Sequence, residues 1–117
     1  MAKARRTRLL VVDDDADIRD ALVELLRLQG YSSLEAANGQ QAWDLVQQGG
    51  LGGMLLDLMM PVLDGWSLME KLRAQQPVLP VIALSASNRP PPEGVLAYFR
   101  KPVDLEVLVS TLHQHFE

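Results

Sequence analysis

Met54-Leu55-Leu56-Asp57-Leu58-Met59-Met60-Pro61 is a short apolar run that delivers one carboxylate and is followed at once by a proline. It reads as a buried strand with Asp57 at its C-terminal end, and Pro61 and then Asp64-Gly65 keep the next loop out of helix. Strand interiors disfavour aspartate, and a lone buried carboxylate is costly unless something positive meets it. Asp57 is therefore the residue around which a site is expected.

Upstream, Arg8-Leu9-Leu10-Val11-Val12 is a second unbroken apolar run, suited to a central strand covered on both faces, and it stops at Asp13-Asp14-Asp15. Ile18, Leu22, Leu25, Leu26 and Gln29 then recur at helical spacing. The apolar members of this set form one stripe, with Arg19, Asp20, Glu24 and Arg27 facing away. Asp15 suits the N-cap of this helix and Gly30 its stop. Tyr31 to Ala37 alternates as a second strand, Asn38-Gly39 breaks it, and Gln40 to Gln48 carries Ala42, Trp43, Leu45 and Val46 on a helical face. Gly49-Gly50-Leu51-Gly52-Gly53 is a connector too short to link domains.

Downstream, a third helix is expected from about Gly65, burying Leu68, Met69 and Leu72 and ending before Pro77. Leu79 to Ser85 reads as the fourth strand, with proline tolerated at its entrance and Ser85 at its C-terminal end. Ala86 to Gly94 contains Pro90-Pro91-Pro92, which disfavours an ordinary helix. Val95 to Phe99 reads as a fifth strand ending at Arg100-Lys101-Pro102. A last amphipathic helix follows with Leu105, Val107, Leu108, Thr111, Leu112 and His115, and Asp104 as an acidic first-turn residue.

The 117 residues, 48% hydrophobic, suit one compact domain. The absence of cysteine excludes disulfides, thiolate zinc sites and cysteine nucleophiles. Leu9–Val12 is far too short for a signal peptide or a membrane span, so no membrane association is expected and the cytoplasm is the expected setting. Net charge is −4, yet Lys3, Arg5, Arg6 and Arg8 hold four of the eleven basic residues. Past Arg8, seven basic residues face fifteen acidic ones. The basic residues 1–7 read as a solvated, disordered arm, so direct nucleic-acid binding is not expected; residues 8–117 form the domain.

Alternating strands and helices imply an α/β sandwich around a parallel sheet, whose ligand site lies at the strand C-termini. That rule brings Asp13, Asp14, Asp57, Ser85 and Lys101 to one rim, although periodicity leaves strand order open. Asp13, Asp14, Asp57 and Lys101 sum to −2, so a divalent cation on oxygen ligands, magnesium or manganese, is the natural neutraliser. Asp57 could then act as nucleophile toward a phosphoryl group, with Lys101 offsetting its charge and Ser85 hydrogen-bonding it. Bland readings compete: Asp13 and Asp14 as helix caps, Ser85 as a plain strand end, Met59-Met60 as loop packing and Trp43 as core. Trp66 is placed near the rim. His113 and His115, two apart, do not share a helix face for a metal.

Val11-Val12-Asp13-Asp14-Asp15, Leu56-Asp57-Leu58-Met59-Met60-Pro61, Asp64-Gly65, Ser85-Ala86 and Lys101-Pro102 together resemble the receiver domain of two-component response regulators, over essentially the whole chain after Arg8. The resemblance implies a flavodoxin-like three-layer sandwich with a five-stranded parallel sheet of order 2-1-3-4-5. It implies Asp57 as phosphoacceptor, with Asp14, Asp57 and the Met59 carbonyl as metal ligands and Asp13 acting through water. Ser85 matches the switch hydroxyl, Lys101 the family lysine and Tyr98 the aromatic that follows phosphorylation; for Tyr98, ordinary packing is an equal reading. A cis Lys101-Pro102 peptide is implied too, and Met59 and Ser87 match the two positions that tune phosphoryl lifetime in the family.

The resemblance also implies a regulatory phosphoacceptor rather than an enzyme with a small-molecule substrate. Its partners would be a histidine kinase or histidine phosphotransfer protein and a downstream protein or output domain, with the oligomeric state open. Nothing follows the last helix, which suits a stand-alone receiver and a longer regulator cut at Glu117 equally. The sequence departs from the family between strands four and five, where helix 4 is expected to be missing or strongly shortened. That departure keeps a second reading alive, a receiver-like interaction module that works without phosphate. A magnesium-dependent phosphohydrolase is a third, but the chain lacks an evident cap or second acid/base.

Overall fold

The computed structural model of the chain describes residues 7–75 and 79–116. The basic residues at positions 3, 5 and 6 and the expected helix stop at position 77 lie outside them. Five parallel strands, β1 (Arg8–Val12), β2 (Ser32–Ala36), β3 (Gly53–Asp57), β4 (Val81–Ser85) and β5 (Ala97–Arg100), pair in the order β2-β1-β3-β4-β5. The helices are α1 (Ala16–Leu28), α2 (Gly39–Gln48), α3 (Gly65–Ala74) and α4 (Leu105–His115). Each begins on an Asp or Asn side chain, namely Asp15, Asn38, Asp64 and Asp104, that accepts from amides of its first turn. Asp104 is thus a cap, one position before the first helical turn in which it was expected.

Strand alternation sorts the core into two layers. Leu10, Val12, Met54, Leu56, Val81 and Ala83 pack with Ala42 of α2 and Leu68, Met69 and Leu72 of α3. Leu9, Val11, Leu55, Ile82 and Leu84 pack with Leu22 and Leu26 of α1 and Leu108 and Leu112 of α4. Both faces of β1, β3 and β4 are thereby covered, which is why those strands read as unbroken apolar runs.

The segment from Ala86 to Leu96 joins β4 to β5 without a helix, as its three prolines required. Several boundaries move: β4 begins at Val81, β5 runs from Ala97 to Arg100, α2 begins at Gly39, and Tyr31 and Ala37 flank β2. Tyr31 is buried and donates its hydroxyl to the carbonyls of Leu112 and Phe116, tying the start of β2 to the end of α4. Ile18, expected in the apolar stripe of α1, is 38% exposed, because it sits in the first turn, beyond the edge of the core. Met60 packs in the core, but Met59 is exposed, which corrects the expectation that both pack in the loop. Trp43 is half-buried, with the Lys71 ammonium over its ring.

Candidate functional site

The register of β1 against β3 pairs Val12 with Leu56, so Asp13 and Asp57 emerge side by side at the sheet's C-terminal rim. Asp13 is fully buried and its amide extends the ladder to the Ala36 carbonyl. Its carboxylate accepts from the Asp15 amide at 2.9 Å and its carbonyl from the Arg19 guanidinium at 2.8 Å. Asp57 is 4% exposed and accepts from the Met59 amide at 3.2 Å. Asp14, the next residue along, is exposed.

Lys101 follows directly on β5, and its amide donates to the Ser85 carbonyl. From there its ammonium stands 3.2 Å from Asp13 Oδ2 and 3.6 Å from Asp57 Oδ2. The peptide joining Lys101 to Pro102 is cis. Burial pushes the Asp57 carboxyl up to about 6; Lys101 and the Met59 amide oppose the rise, and Asp13 and Asp14 add to it. One lysine thus leaves the site short of positive charge.

One carboxylate oxygen each from Asp13, Asp14 and Asp57 lies within 4.8 Å of the other two. Asp14 opens this group to solvent and has no ion pair among the described residues. A close all-oxygen set with surplus negative charge and an open side fits a hydrated magnesium or manganese ion. No described hydrogen bond reaches the Met59 carbonyl.

Ser85 ends β4, one residue past Leu84, the partner of Asp57. It is fully buried, and its hydroxyl accepts from the Ser87 amide at 2.9 Å rather than meeting Asp57. Tyr98 lies farther back on β5 opposite Ala83, half-buried, with its hydroxyl 3.4 Å from the Ser87 carbonyl. The rim therefore gathers Asp13, Asp14, Asp57 and Lys101 around one point, with Ser85 beside them and Tyr98 reaching Ser85 only through Ser87. His113 and Gln29 hydrogen-bond across α1 and α4, away from this rim.

One residue's role and one link escaped the sequence reading. Arg19, placed on the outer face of α1, fixes the Asp13 carbonyl and pairs with Glu35 at 3.1 Å. Its role is invisible until β2 is placed beside β1. The link is Ser87, singled out by its position two past Ser85 but not as the bridge from Ser85 to Tyr98, which is set by the path of a loop without periodicity. An apolar groove of about 520 Å³ also opens beside Lys101, lined by Ile18, Leu22, Pro102, Val103 and Leu105 among others.

A family model for the response regulator receiver domain matches residues 9–113. The chain is 40% identical over 81 residues to the response regulator GtcR of Aneurinibacillus migulanus, an alignment covering 69% of this chain and 33% of that protein. The chain therefore spans about a third of that relative's length. Among solved structures, a response regulator receiver protein from Pseudomonas putida superposes with a TM-score of 0.85 at 30% identity, covering 96% of this chain and 99% of the other. The receiver domain of Ssk1 from Saccharomyces cerevisiae, solved with the histidine phosphotransfer protein Ypd1, gives a TM-score of 0.84 at 27% identity over 94% and 88% of the two chains. No described helix is long and apolar enough to cross a membrane.

Proposed function

Because the chain belongs to the response regulator receiver domain family, whose members are regulatory phosphoacceptors, we propose that it takes a phosphoryl group onto Asp57 from a histidine kinase or histidine phosphotransfer protein and thereby switches a partner. The observation that carries this reading is the buried Asp57 carboxylate at the end of β3, with the Lys101 ammonium 3.6 Å away. Above pH 6 most of the Asp57 carboxyl is ionised and can attack.

An Asp57 oxygen forms a bond to phosphorus, the phosphorus–nitrogen bond of the donor histidine breaks, and the imidazole leaves with the electron pair. Lys101 offsets charge on the phosphoryl oxygens, and the Ser85 hydroxyl hydrogen-bonds one of them. Asp14, Asp57 and the Met59 carbonyl, with Asp13 through water, would hold a magnesium or manganese ion whose charge also favours the transfer. The chain thus assists its own phosphorylation and loses the group slowly, as a cytoplasmic switch rather than an enzyme with turnover. The groove beside Lys101 offers apolar contact to the phosphodonor protein next to the acceptor.

The test is intact mass after incubation with a small phosphodonor, with and without magnesium, for the native chain and Asp57→Asn. A magnesium-dependent gain of one phosphoryl group that Asp57→Asn lacks supports the reading. No gain by folded, magnesium-binding protein overturns it. A phosphate-independent interaction module is not favoured, since it leaves two buried acids and their lysine without a use.

A further inference from the structure

The segment that replaces a crossover helix is fastened to the site at one end and to α3 at the other. Ser87 is the inner fastening. Its amide donates to Ser85 Oγ at 2.9 Å, its own Oγ accepts from the Arg89 amide at 2.9 Å, and its carbonyl faces the Tyr98 hydroxyl at 3.4 Å. Trp66, in the first turn of α3, is the outer one, for its Nε1–H donates to the Pro90 carbonyl at 2.9 Å. The Arg89 guanidinium lies over the same indole, 4.1 Å from its centroid, and Arg73 pairs with Glu93 farther along.

Arg89 is restricted by the proline that follows it, and its amide is bonded to Ser87 Oγ, so a tether at Pro90 is transmitted back to Ser87. The consequence falls on the Ser85 hydroxyl. By accepting from the Ser87 amide it engages a lone pair and keeps its single proton free to donate. A serine hydroxyl without that partner can turn and donate to a nearby backbone carbonyl instead.

We propose that Trp66 is a positioning residue for phosphoryl capture at Asp57, acting through residues 87–90 to hold the Ser85 hydroxyl ready as a donor. This role rests on the reading of Asp57 given above. Trp66 touches no reacting atom; it sets where Ser87, and hence the Ser85 proton, stands.

Trp66→Phe keeps an aromatic ring under Arg89 and removes the N–H donor. With acetyl phosphate and magnesium, its rate of phosphoryl gain at saturating donor is expected to fall about fivefold, the scale of one hydrogen bond, with half-saturation unchanged. Exchange of the Ser87 amide, measured without donor, is expected to quicken. Ser85→Ala should lose at least as much, and Trp66→Phe on that background should add nothing. Arg89→Gln, at an exposed position, loosens the same tether and should give the same pattern without risk to the core.

Losses that multiply in the double variant, or folded Trp66→Phe that gains the phosphoryl group at the native rate with unchanged Ser87 exchange, overturn the role. Native chain that gains no phosphoryl group overturns the Asp57 reading and this role together; gain by the native chain with an unaffected Trp66→Phe overturns this role alone.

Discussion

The Lys101 ammonium reaches to within 3.2 Å of the fully buried Asp13 carboxylate. Its second contact, at 3.6 Å, is with Asp57, so one cation is shared by two acids on neighbouring strands. Removing it leaves both acids buried without a counter-charge. Lys101→Met is therefore expected to lower metal-free stability at pH 7.5 by about 2–3 kcal/mol, measured by urea unfolding. Phosphoryl gain from a small donor should fall at least about tenfold, as expected when a group that offsets phosphoryl charge is lost. A variant as stable and as fast as the native chain would contradict the shared-cation arrangement.

Asp57 supplies a prediction whose sign depends on pH. Its folded carboxyl is held at about 6 against an ordinary 3.8, so the folded chain binds this proton more tightly than the unfolded chain does. Stability contributed by that proton is present at low pH and lost as pH rises through 6. Asp57→Asn removes the ionisation. In chelator at pH 7.5 the variant should be more stable than the native chain by roughly 1–3 kcal/mol, with the difference closing toward pH 4. Magnesium should raise the native melting temperature and leave the variant's nearly unmoved. Equal urea midpoints for the two chains at pH 7.5 in chelator would contradict it.

Gly65 starts α3 where no side chain fits. A Cβ there would stand 2.6 Å from the Leu58 Cα, and Leu58 cannot withdraw, being bonded to the Leu84 carbonyl and to the Gly65 amide itself. Gly65→Ala is expected to cost about 2–3 kcal/mol, the range for overpacking a tight contact. Because Leu58 adjoins Asp57, phosphoryl gain should slow as well. A calorimetric scan beside the mass assay measures both.

Met59 offers the rim an exposed thioether, which cannot orient an attacking water by a strong hydrogen bond. The phosphoryl group on Asp57 is therefore expected to be comparatively long-lived. Met59→Asn should shorten its lifetime severalfold, followed by decay of the phosphorylated mass after donor removal. An unchanged lifetime would count against this reading.

What the sequence made legible follows from what covers each strand. β1, β3 and β4 are sandwiched on both faces, so their apolar runs stand out and the Asp or Ser at each end marks the rim. β2 and β5 are edges with mixed residues, and their limits shift, with β5 ending at Arg100 rather than Phe99. Strand order came from the resemblance, because nothing in a period of two says which strand is the neighbour. The missing crossover helix was legible because proline lacks the amide a helix needs. The Trp66–Pro90 tether was not, since it requires the loop to double back on α3, and loops carry no repeat that reports their path.

Val62 is the last case, and its sequence gives no warning. It adopts φ +71° in the loop between β3 and α3, a conformation that a β-branched side chain disfavours, and it is 79% exposed, so packing does not repay the strain. The neighbours fix the bend: the Leu63 amide donates to the Pro61 carbonyl at 2.8 Å, and Asp64 caps α3 two residues later. Asparagine accepts the left-handed region far more readily than valine and limits the unfolded chain more than glycine does. Val62→Asn should therefore stabilise the fold by about 1 kcal/mol, the scale of one relieved backbone strain. Urea unfolding checks it, with Val62→Ala as the control, which keeps a Cβ and should recover less of the strain. A Val62→Asn midpoint at or below the native value would mean that the turn relaxes in solution.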